Sequence, residues 1–458
     1  MNGAAGPAIL REPGLAAADR AGLLPAAAAA GAQIRSVLAA SWELPPIERP
    51  RAMVVVGLNA VVDTAFLTAL VGRTSPAPIV AAQNLPPWVG PLDLVVVMAG
   101  HPDDEQAAEA AGIARRRGAT VIVRGAEHGP VAEAAGASLL VAPVVAVPEA
   151  LAAPARWALL TMVAARAGLA PVVELARTAD LLDATALACH PGAETFLNPG
   201  VNLAEYLADG TGLLIGCDRI ADAIAGHGGR VLADLGGVVT GVMTAAQAAS
   251  SPALMRRIGG PKDIFADPFD DDEPAQLVKP LLVSTTAEDT SGRSPEAAAD
   301  RMALAGMMRS FTGAMHLDGS ADALPVVNGM PEFPDGPGED HHEPGRRDSG
   351  GRDLGGRGFG GVGGRDLDRR DLDRREDDRR EPGGFPAAQG RPADVFDAAV
   401  AACLRLDFAA VYVGIATGQL VPLDFPDDLG RSGGTRWAVR PATVGDRRER
   451  EQDVNSWN

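Results

Sequence analysis

The strongest constraint on the fold is a set of short apolar runs that end at glycine and are each followed by a helical pattern. Residues 52–56 read Ala-Met-Val-Val-Val and stop at Gly57, and residues 92–98 form a second run before Gly100. Runs of this length, rich in β-branched residues, are typical of strands buried in a parallel sheet. Because helices alternate with them, the sequence predicts an α/β class with two doubly wound parallel-sheet subdomains in three layers, α/β/α.

The predicted elements form two successive groups. The first group has strands at 52–56, 79–82, 92–98, 120–123 and 139–141, and helices at 31–50, 62–72, 102–117, 130–135 and 153–167. The second has helices at 198–208, 219–225, around 244–249 and at 295–308, and strands at 212–215, 279–284 and 314–316. Residues 231–235 fit either type of element.

Six segments describe the predicted organisation. They are a flexible N-terminal segment (1–30), a first subdomain (31–190), a second subdomain (191–330), a disordered insertion (331–392), a C-terminal helix that completes the second subdomain (393–425) and a polar tail (426–458). The insertion consists mainly of Gly, Pro, Asp and Arg, with too few apolar residues to offset the entropy lost on ordering. An amphipathic helical pattern returns after it, which indicates an insertion within a domain.

Charge and cysteine content exclude several classes of function. The chain has 458 residues and a formal net charge of −18, which disfavours binding to nucleic acid. Its cysteines, Cys189, Cys217 and Cys403, are far apart, as expected in a reducing cytoplasm. No secretory pattern is evident, and we expect no apolar run that approaches the ~18–20 residues of a membrane span. We therefore expect a cytoplasmic protein with no membrane association, no cofactor and no metal.

Two strand-to-helix turns are candidate ligand sites. Gly57 and Asn59 follow the first strong strand, where backbone N–H groups and a helix dipole can bind an anion. The alternative is an ordinary tight turn, since neither a dinucleotide fingerprint nor a P-loop is present. Gly100, His101 and Asp103 follow the second strand, either as a ligand loop or simply as a helix start favoured by proline and acidic residues.

Arg124 ends the next strand and is a third candidate. An arginine at this sheet edge is suited to an anionic ligand, and a solvent-facing side chain is the alternative.

Four segments in order carry a resemblance to a known family. They are Met53-Val-Val-Val-Gly57, Leu94-Val-Val-Val-Met-Ala-Gly100, 147–156 (Val-Pro-Glu-Ala-Leu-Ala-Ala-Pro-Ala-Arg) and 407–418 (Asp-Phe-Ala-Ala-Val-Tyr-Val-Gly-Ile-Ala-Thr-Gly). Over residues 31–325 and 393–425 the chain resembles the sugar isomerase (SIS) fold, and within it bacterial relatives of bifunctional phosphoglucose/phosphomannose isomerases, the TobH-type proteins. The resemblance implies a phosphorylated-sugar ligand, a homodimer and a site role for Arg156.

The chain departs from the family's motifs where catalysis would occur. The first loop reads Gly57-Leu-Asn-Ala-Val61 in place of Gly-x-Gly-Gly-Ser. The hydroxyl positions of the phosphate loop become Val97, Ala99 and Pro102, and the segment matching the family's catalytic glutamate, 234–239, contains none. The family's histidine segment and C-terminal lysine also lack counterparts.

Aldose–ketose isomerisation needs a base near the C1/C2 proton, and no base is evident. The catalytic residues are therefore unassigned. The favoured hypothesis is a phosphosugar-binding protein with weak or lost isomerase activity. The alternatives are an active isomerase with a relocated base (Asp103, Asp234 or His227) and a non-catalytic interaction scaffold.

Overall fold

The structure is a computed structural model that describes residues 14–40, 44, 46–72, 75–208, 211–259, 278–285, 314–319, 326–327 and 392–418. The predicted helix at 295–308, the polar tail and all of the predicted insertion except Pro392 lie outside these residues.

The first sheet is parallel throughout its described strands. These are β1 (Met53–Gly57), β2 (Ile79–Ala82), β3 (Leu94–Met98), β4 (Thr120–Arg124) and β5 (Leu139–Val141). Their order is β2-β1-β3-β4-β5, so the direction of winding reverses between β1 and β3. The carboxyl ends of these two strands therefore flank a topological switch point, where open α/β sheets bind ligands.

The second sheet repeats this order. Its described strands are β6 (Thr211–Gly216), β7 (Gly241–Thr244), β8 (Val278–Ser284), β9 (Met315–Asp318) and β10 (Val326–Val327). They are arranged β7-β6-β8-β9-β10, and all pairs are parallel except β9 with β10. A second switch point therefore lies between β6 and β8.

Helices cover both faces of the sheets. Those described are α1 (Leu15–Ala18), α2 (Leu23–Ala28), α3 (Ala30–Ala40), α4 (Ala60–Val71), α5 (Glu105–Arg116), α6 (Pro130–Ala135), α7 (Ala153–Arg166), α8 (Leu175–Ala188), α9 (Pro199–Ala208), α10 (Arg219–Asp234), α11 (Ala245–Ala249), α12 (Pro252–Gly259) and α13 (Pro392–Thr417). Short 3-10 turns span Glu149–Leu151 and Thr195–Leu197.

The main hydrophobic core lies between the two sheets and is built around α4, α7, α10 and α13. Trp157 stacks on Phe66 with ring centroids 4.0 Å apart, and Phe396 meets Phe66 edge-on at 5.7 Å. Smaller clusters pack α5 and α6 on the outer face of the first sheet, and α11 and α12 on that of the second. Burying each large side chain of this kind stabilises a fold by about 1.5–3 kcal/mol, so the shared helix layer binds the two sheets together.

The helix α13 is apolar along most of its length. By length and composition alone, residues Asp394–Thr417 could cross a membrane, which differs from the expectation that no apolar run approaches this length. Their most apolar window is entirely buried inside the protein, against α8, α9 and α10. This burial is what a core helix of a soluble protein requires.

The prediction of an α/β class with two doubly wound sheets is confirmed by the strand orders, while the subdomain limits stay predictions. Within the predicted flexible segment, residues 14–30 are seen as helical turns with buried Leu15 and Leu23. The Asp19 carboxylate accepts hydrogen bonds from the N–H groups of Leu23 and Leu24, which fixes the start of α2. Pro25 lies in the first turn of that helix, where proline is tolerated, and does not interrupt it.

Candidate functional site

The turn after β1 brings the backbone close to β3. Gly57 has φ of 151°, and a Cβ atom there would collide with the carbonyl oxygen of Met98. Only glycine permits this approach, which places the two turns of the switch point side by side. Asn59 then occupies the N-cap of α4, and its side chain makes no capping hydrogen bond to the described residues. The first N–H groups of α4 therefore have no side-chain cap from Asn59.

The helix that follows β3 is already capped by an acidic side chain. Asp104 is the N-cap of α5 and accepts a hydrogen bond from the Ala107 N–H at 3.0 Å. The Asp103 N–H donates to Nδ1 of His101, also at 3.0 Å, and the Asp103 side chain is exposed. An anion approaching this helix end would meet three carboxylates, because Glu105 lies in the first turn of α5.

The first turn of α4 also contains one acidic residue, Asp63, but its side chain is fully buried. Of the two turns, the one at Asn59 is therefore electrostatically better suited to a phosphate.

The predicted ligand residues Arg124 and Arg156, which we call the arginine pair, converge on one carboxylate. The Nη1 atom of Arg124 donates to Oε2 of Glu149 at 3.1 Å, and Nη1 of Arg156 donates to Oε1 at 2.9 Å. Burial alone would raise the pKa of Glu149, but the two guanidinium groups outweigh burial and lower it. Glu149 is therefore ionised at neutral pH and is the direct counter-ion of both arginines.

Arg156 has a second, fully buried partner. Its Nε atom donates to both carboxylate oxygens of Asp63, at 2.9 and 3.2 Å, and the indole N–H of Trp157 donates to the same carboxylate at 2.8 Å. Burial raises the pKa of Asp63, against the lowering by Arg156 and Trp157. Burial also opposes the charge of Arg156, but the two carboxylates outweigh it and raise its pKa. A chain of alternating charges thus links Arg124, Glu149, Arg156 and Asp63.

The three residues considered as relocated bases are dispersed. Asp103 lies at the switch point beside His101. Asp234 is at the end of α10 and pairs with Arg230 at 2.7 Å. His227 is buried, with its Nε2 atom 2.6 Å from Oδ1 of Asp407. Only Asp103 of the three lies at the edge of the first sheet where the predicted ligand would bind.

Sequence reasoning missed Glu149 and Asp63. Glu149 lies within the quoted segment 147–156, seven residues before Arg156, so an acidic side chain close to an arginine was visible. Asp63 is the sole charged residue of α4, and a lone carboxylate in an apolar helix signals a buried partner. Which arginine each carboxylate would meet depends on the packing of α4 against α7.

The second switch point has its own polar cluster. Asp218 caps α10 and also accepts hydrogen bonds from the N–H and hydroxyl groups of Thr285, at 2.7 and 3.0 Å. The Ser284 hydroxyl lies 2.9 Å from Nε2 of His316. Burial lowers the pKa of His316 although Asp318 opposes this, so the ring is neutral near pH 7. The cluster ties β6, β8 and β9 together at their carboxyl ends.

In the part of the chain that the structure describes, no three His, Cys, Asp or Glu side chains are grouped so as to hold a metal ion. All three cysteines lie in that part, where each is buried and none forms a disulfide.

No protein-family model matches the chain, and no curated protein matches it. Solved structures show a distant similarity. The C-terminal domain of glucosamine-fructose-6-phosphate aminotransferase from Francisella tularensis is 10% identical with a TM-score of 0.46, over 86% of this chain and 96% of that one. Glucosamine-6-phosphate deaminase from Thermotoga maritima is 11% identical with a TM-score of 0.45, over 67% and 87%. Tagatose-6-phosphate ketose/aldose isomerase from Escherichia coli is 11% identical with a TM-score of 0.41, over 63% and 76%. At such values function has to be argued from this chain's own residues.

Proposed function

We propose that the protein binds a phosphorylated sugar at the switch point between β1 and β3 and has weak or no isomerase activity. The observation that carries the proposal is the close approach of Gly57 to Met98, by which the turns Gly57–Asn59 and Gly100–Asp103 follow neighbouring strands at the carboxyl edge of a 2-1-3-4-5 sheet. Ligands of open α/β sheets bind at such points. The sequence resemblance to SIS proteins of the phosphoglucose/phosphomannose isomerase type supplies the ligand class.

The N-terminus of α4 is the proposed phosphate position. Backbone N–H groups in a first helical turn, together with the helix dipole, favour an anion. Asn59 leaves these groups without a side-chain cap, whereas Asp104 caps α5 with a negative charge. Leu58 and Val61 are both largely exposed beside Asn59, which leaves the turn accessible.

Weak or lost catalysis follows from the positions of the carboxylates. Glu149 is the acidic side chain nearest Gly100, and a Cβ atom at Gly100 would lie 3.2 Å from its Cγ. Its basicity is reduced by the arginine pair, so it is a poor base for a sugar C1/C2 proton. The Asp103 side chain is exposed to solvent, so no closed site holds it against a sugar C1/C2 proton.

Two alternatives remain as hypotheses. Asp103 is the base that an active aldose–ketose isomerase would use here, because Asp234 and His227 lie elsewhere. A non-catalytic interaction scaffold would bind no sugar phosphate. A homodimer and a cytoplasmic location belong to the same proposal, the first by resemblance and the second because the three buried cysteines form no disulfide.

Thermal stabilisation by fructose, glucose, mannose and glucosamine 6-phosphates tests the proposal, with coupled isomerase assays alongside. We expect one of them to raise the melting temperature by several degrees, because a ligand that binds only the folded state stabilises it. The Asn59→Asp variant should weaken binding by about tenfold or more, since a carboxylate would then compete for the α4 N-terminus. The matched control is Gln247→Glu, which adds the same charge at an exposed position of α11 and should bind normally.

Turnover at a rate typical of isomerases would show that catalysis survives. If a sugar phosphate stabilises the Asn59→Asp variant as much as the unaltered protein, its phosphate does not bind at the N-terminus of α4. The absence of any binding would refute the proposed function and favour the scaffold.

A further inference from the structure

The arginine pair is arranged around a carboxylate that belongs to the chain itself. Proteins hold phosphate, sulfate or carboxylate ligands with this geometry, in which two guanidinium groups donate to the same small anion. We infer that Arg124 and Arg156 form an oxyanion-binding site, of the phosphoryl class, which Glu149 closes by occupying it.

Exposure shows which member of the cluster faces solvent. The side chains of Arg124 and Arg156 are 6% and 3% exposed, whereas that of Glu149 is 23% exposed. The Glu149 side chain is therefore the member of the cluster nearest to solvent, and the two arginine side chains lie beneath it. An incoming oxyanion would take its place and would find both donors already positioned.

Arg156 is held by contacts that do not need the Glu149 carboxylate. It is anchored by the Asp63 carboxylate and by the backbone carbonyl of Glu149, the latter at 2.8 Å. The backbone of Arg124 is fixed at the end of β4, in register with Met98 of β3, and its side chain is 6% exposed. Removal of the carboxylate would leave Arg156 anchored, free the guanidinium of Arg124 for another acceptor and change the net charge of the cluster from zero to +1.

The location of Glu149 connects this site with the candidate crevice. Glu149 is the first residue of the 3-10 turn Glu149–Leu151, which follows Pro148. The Glu149 side chain lies over Gly100. A sugar phosphate at the switch point would meet this negative charge. Displacement of the carboxylate by a separate oxyanion on the arginine pair removes the repulsion, which makes Glu149 the residue that restricts anion entry. In the proposed function the sugar's own phosphate lies at the N-terminus of α4, so the test of the arginine pair does not depend on it.

Calorimetric titration with inorganic phosphate tests the site. We expect Glu149→Ala to bind phosphate at least about tenfold more tightly than the unaltered protein, because two charge-assisted donors become available. The matched control Glu133→Ala removes the same charge from an exposed position on α6 and should bind as the unaltered protein does. The double variant Arg124→Gln/Glu149→Ala should lose the gain.

Equal phosphate affinity in the unaltered protein and the Glu149→Ala variant would overturn the inference, and so would a gain that persists in the double variant. If Glu149→Ala does not fold in phosphate-free buffer, about 50 mM phosphate should restore cooperative unfolding where chloride of equal ionic strength does not. Failure of that rescue would also overturn it. The sugar-phosphate panel on the unaltered protein is independent, so either hypothesis can fail alone.

Discussion

At the scale of single residues, burial of charge is the dominant feature of this protein. Arg156 and Asp63 are almost completely buried, at 3% and 0% exposure of their side chains. An unpaired buried charge costs several kcal/mol, so each depends on the other and on Glu149. Arg230 and Asp234, by contrast, form an exposed pair one helical turn apart on α10.

We expect Asp63→Asn to lower the free energy of unfolding by about 3–5 kcal/mol, because it removes one of the two carboxylates that neutralise Arg156. Urea unfolding followed by circular dichroism measures the change. The control Asp234→Asn breaks the exposed pair and should cost less than about 1 kcal/mol. Similar costs for the two variants would show that the buried pair is not needed for stability.

At the scale of elements, side-chain caps connect strands to the helices that follow them. Asp104 caps α5 by accepting a hydrogen bond from the first turn of that helix. Asp218 does more, because it caps α10 and also binds the backbone and hydroxyl of Thr285 just after β8. The same residue type thus serves one element at the first sheet and joins two strand ends at the second.

Asp218→Ala should therefore destabilise the protein more than Asp104→Ala. Loss of a helix cap costs about 1 kcal/mol, and the two additional hydrogen bonds from Thr285 should bring the cost for Asp218 to roughly 2–4 kcal/mol. Chemical denaturation of both variants gives the comparison. The argument fails if Asp104→Ala proves the more destabilising.

At the scale of the whole molecule, a helix from the C-terminal part of the chain completes the core. Phe396, Phe408 and Tyr412 of α13 are buried among α4, α8, α9 and α10. The Tyr412 hydroxyl donates to the carbonyl oxygen of Cys189 at 2.5 Å. Residues far apart along the chain therefore meet in the centre of the fold, and α13 is part of its core.

Deletion of residues 331–391, with α13 retained, should leave the melting temperature within about 2–4 °C of that of the full chain, because the composition of this segment offers little apolar surface to bury. Differential scanning calorimetry measures the shift. Truncation after residue 391, which removes α13, is the opposite case and should abolish cooperative unfolding. A fall of many degrees in the internal deletion would mean that the segment packs against the core.

Much of the fold could be predicted because its elements are encoded locally. The valine runs of β1 and β3 match buried parallel strands, and Ile79–Ala82, Pro130–Ala135 and Leu139–Val141 have the bounds that were predicted. The helix α8 was not assigned, although its buried leucines recur at helical spacing. The prediction also left residues 231–235 ambiguous, and α10 continues through them to Asp234. For α8 and for residues 231–235, we attribute the helical conformation to packing against neighbouring helices.

In the candidate site too, local features could be predicted from the sequence and long-range partners could not. Gly57, Gly100 and the polar residues of their turns could be identified from the chain, because a strand followed by glycine and a helix is a local pattern. The partners of the arginine pair could not, since Asp63 and Arg156 are 93 residues apart and meet only when α4 packs on α7. Local periodicity specifies strands, helices and turns, whereas the layering of helices between two sheets determines which buried charges neutralise one another. In this protein, that pairing joins Glu149 to Arg124 and Arg156, the two arginines that the sequence predicts as ligand contacts.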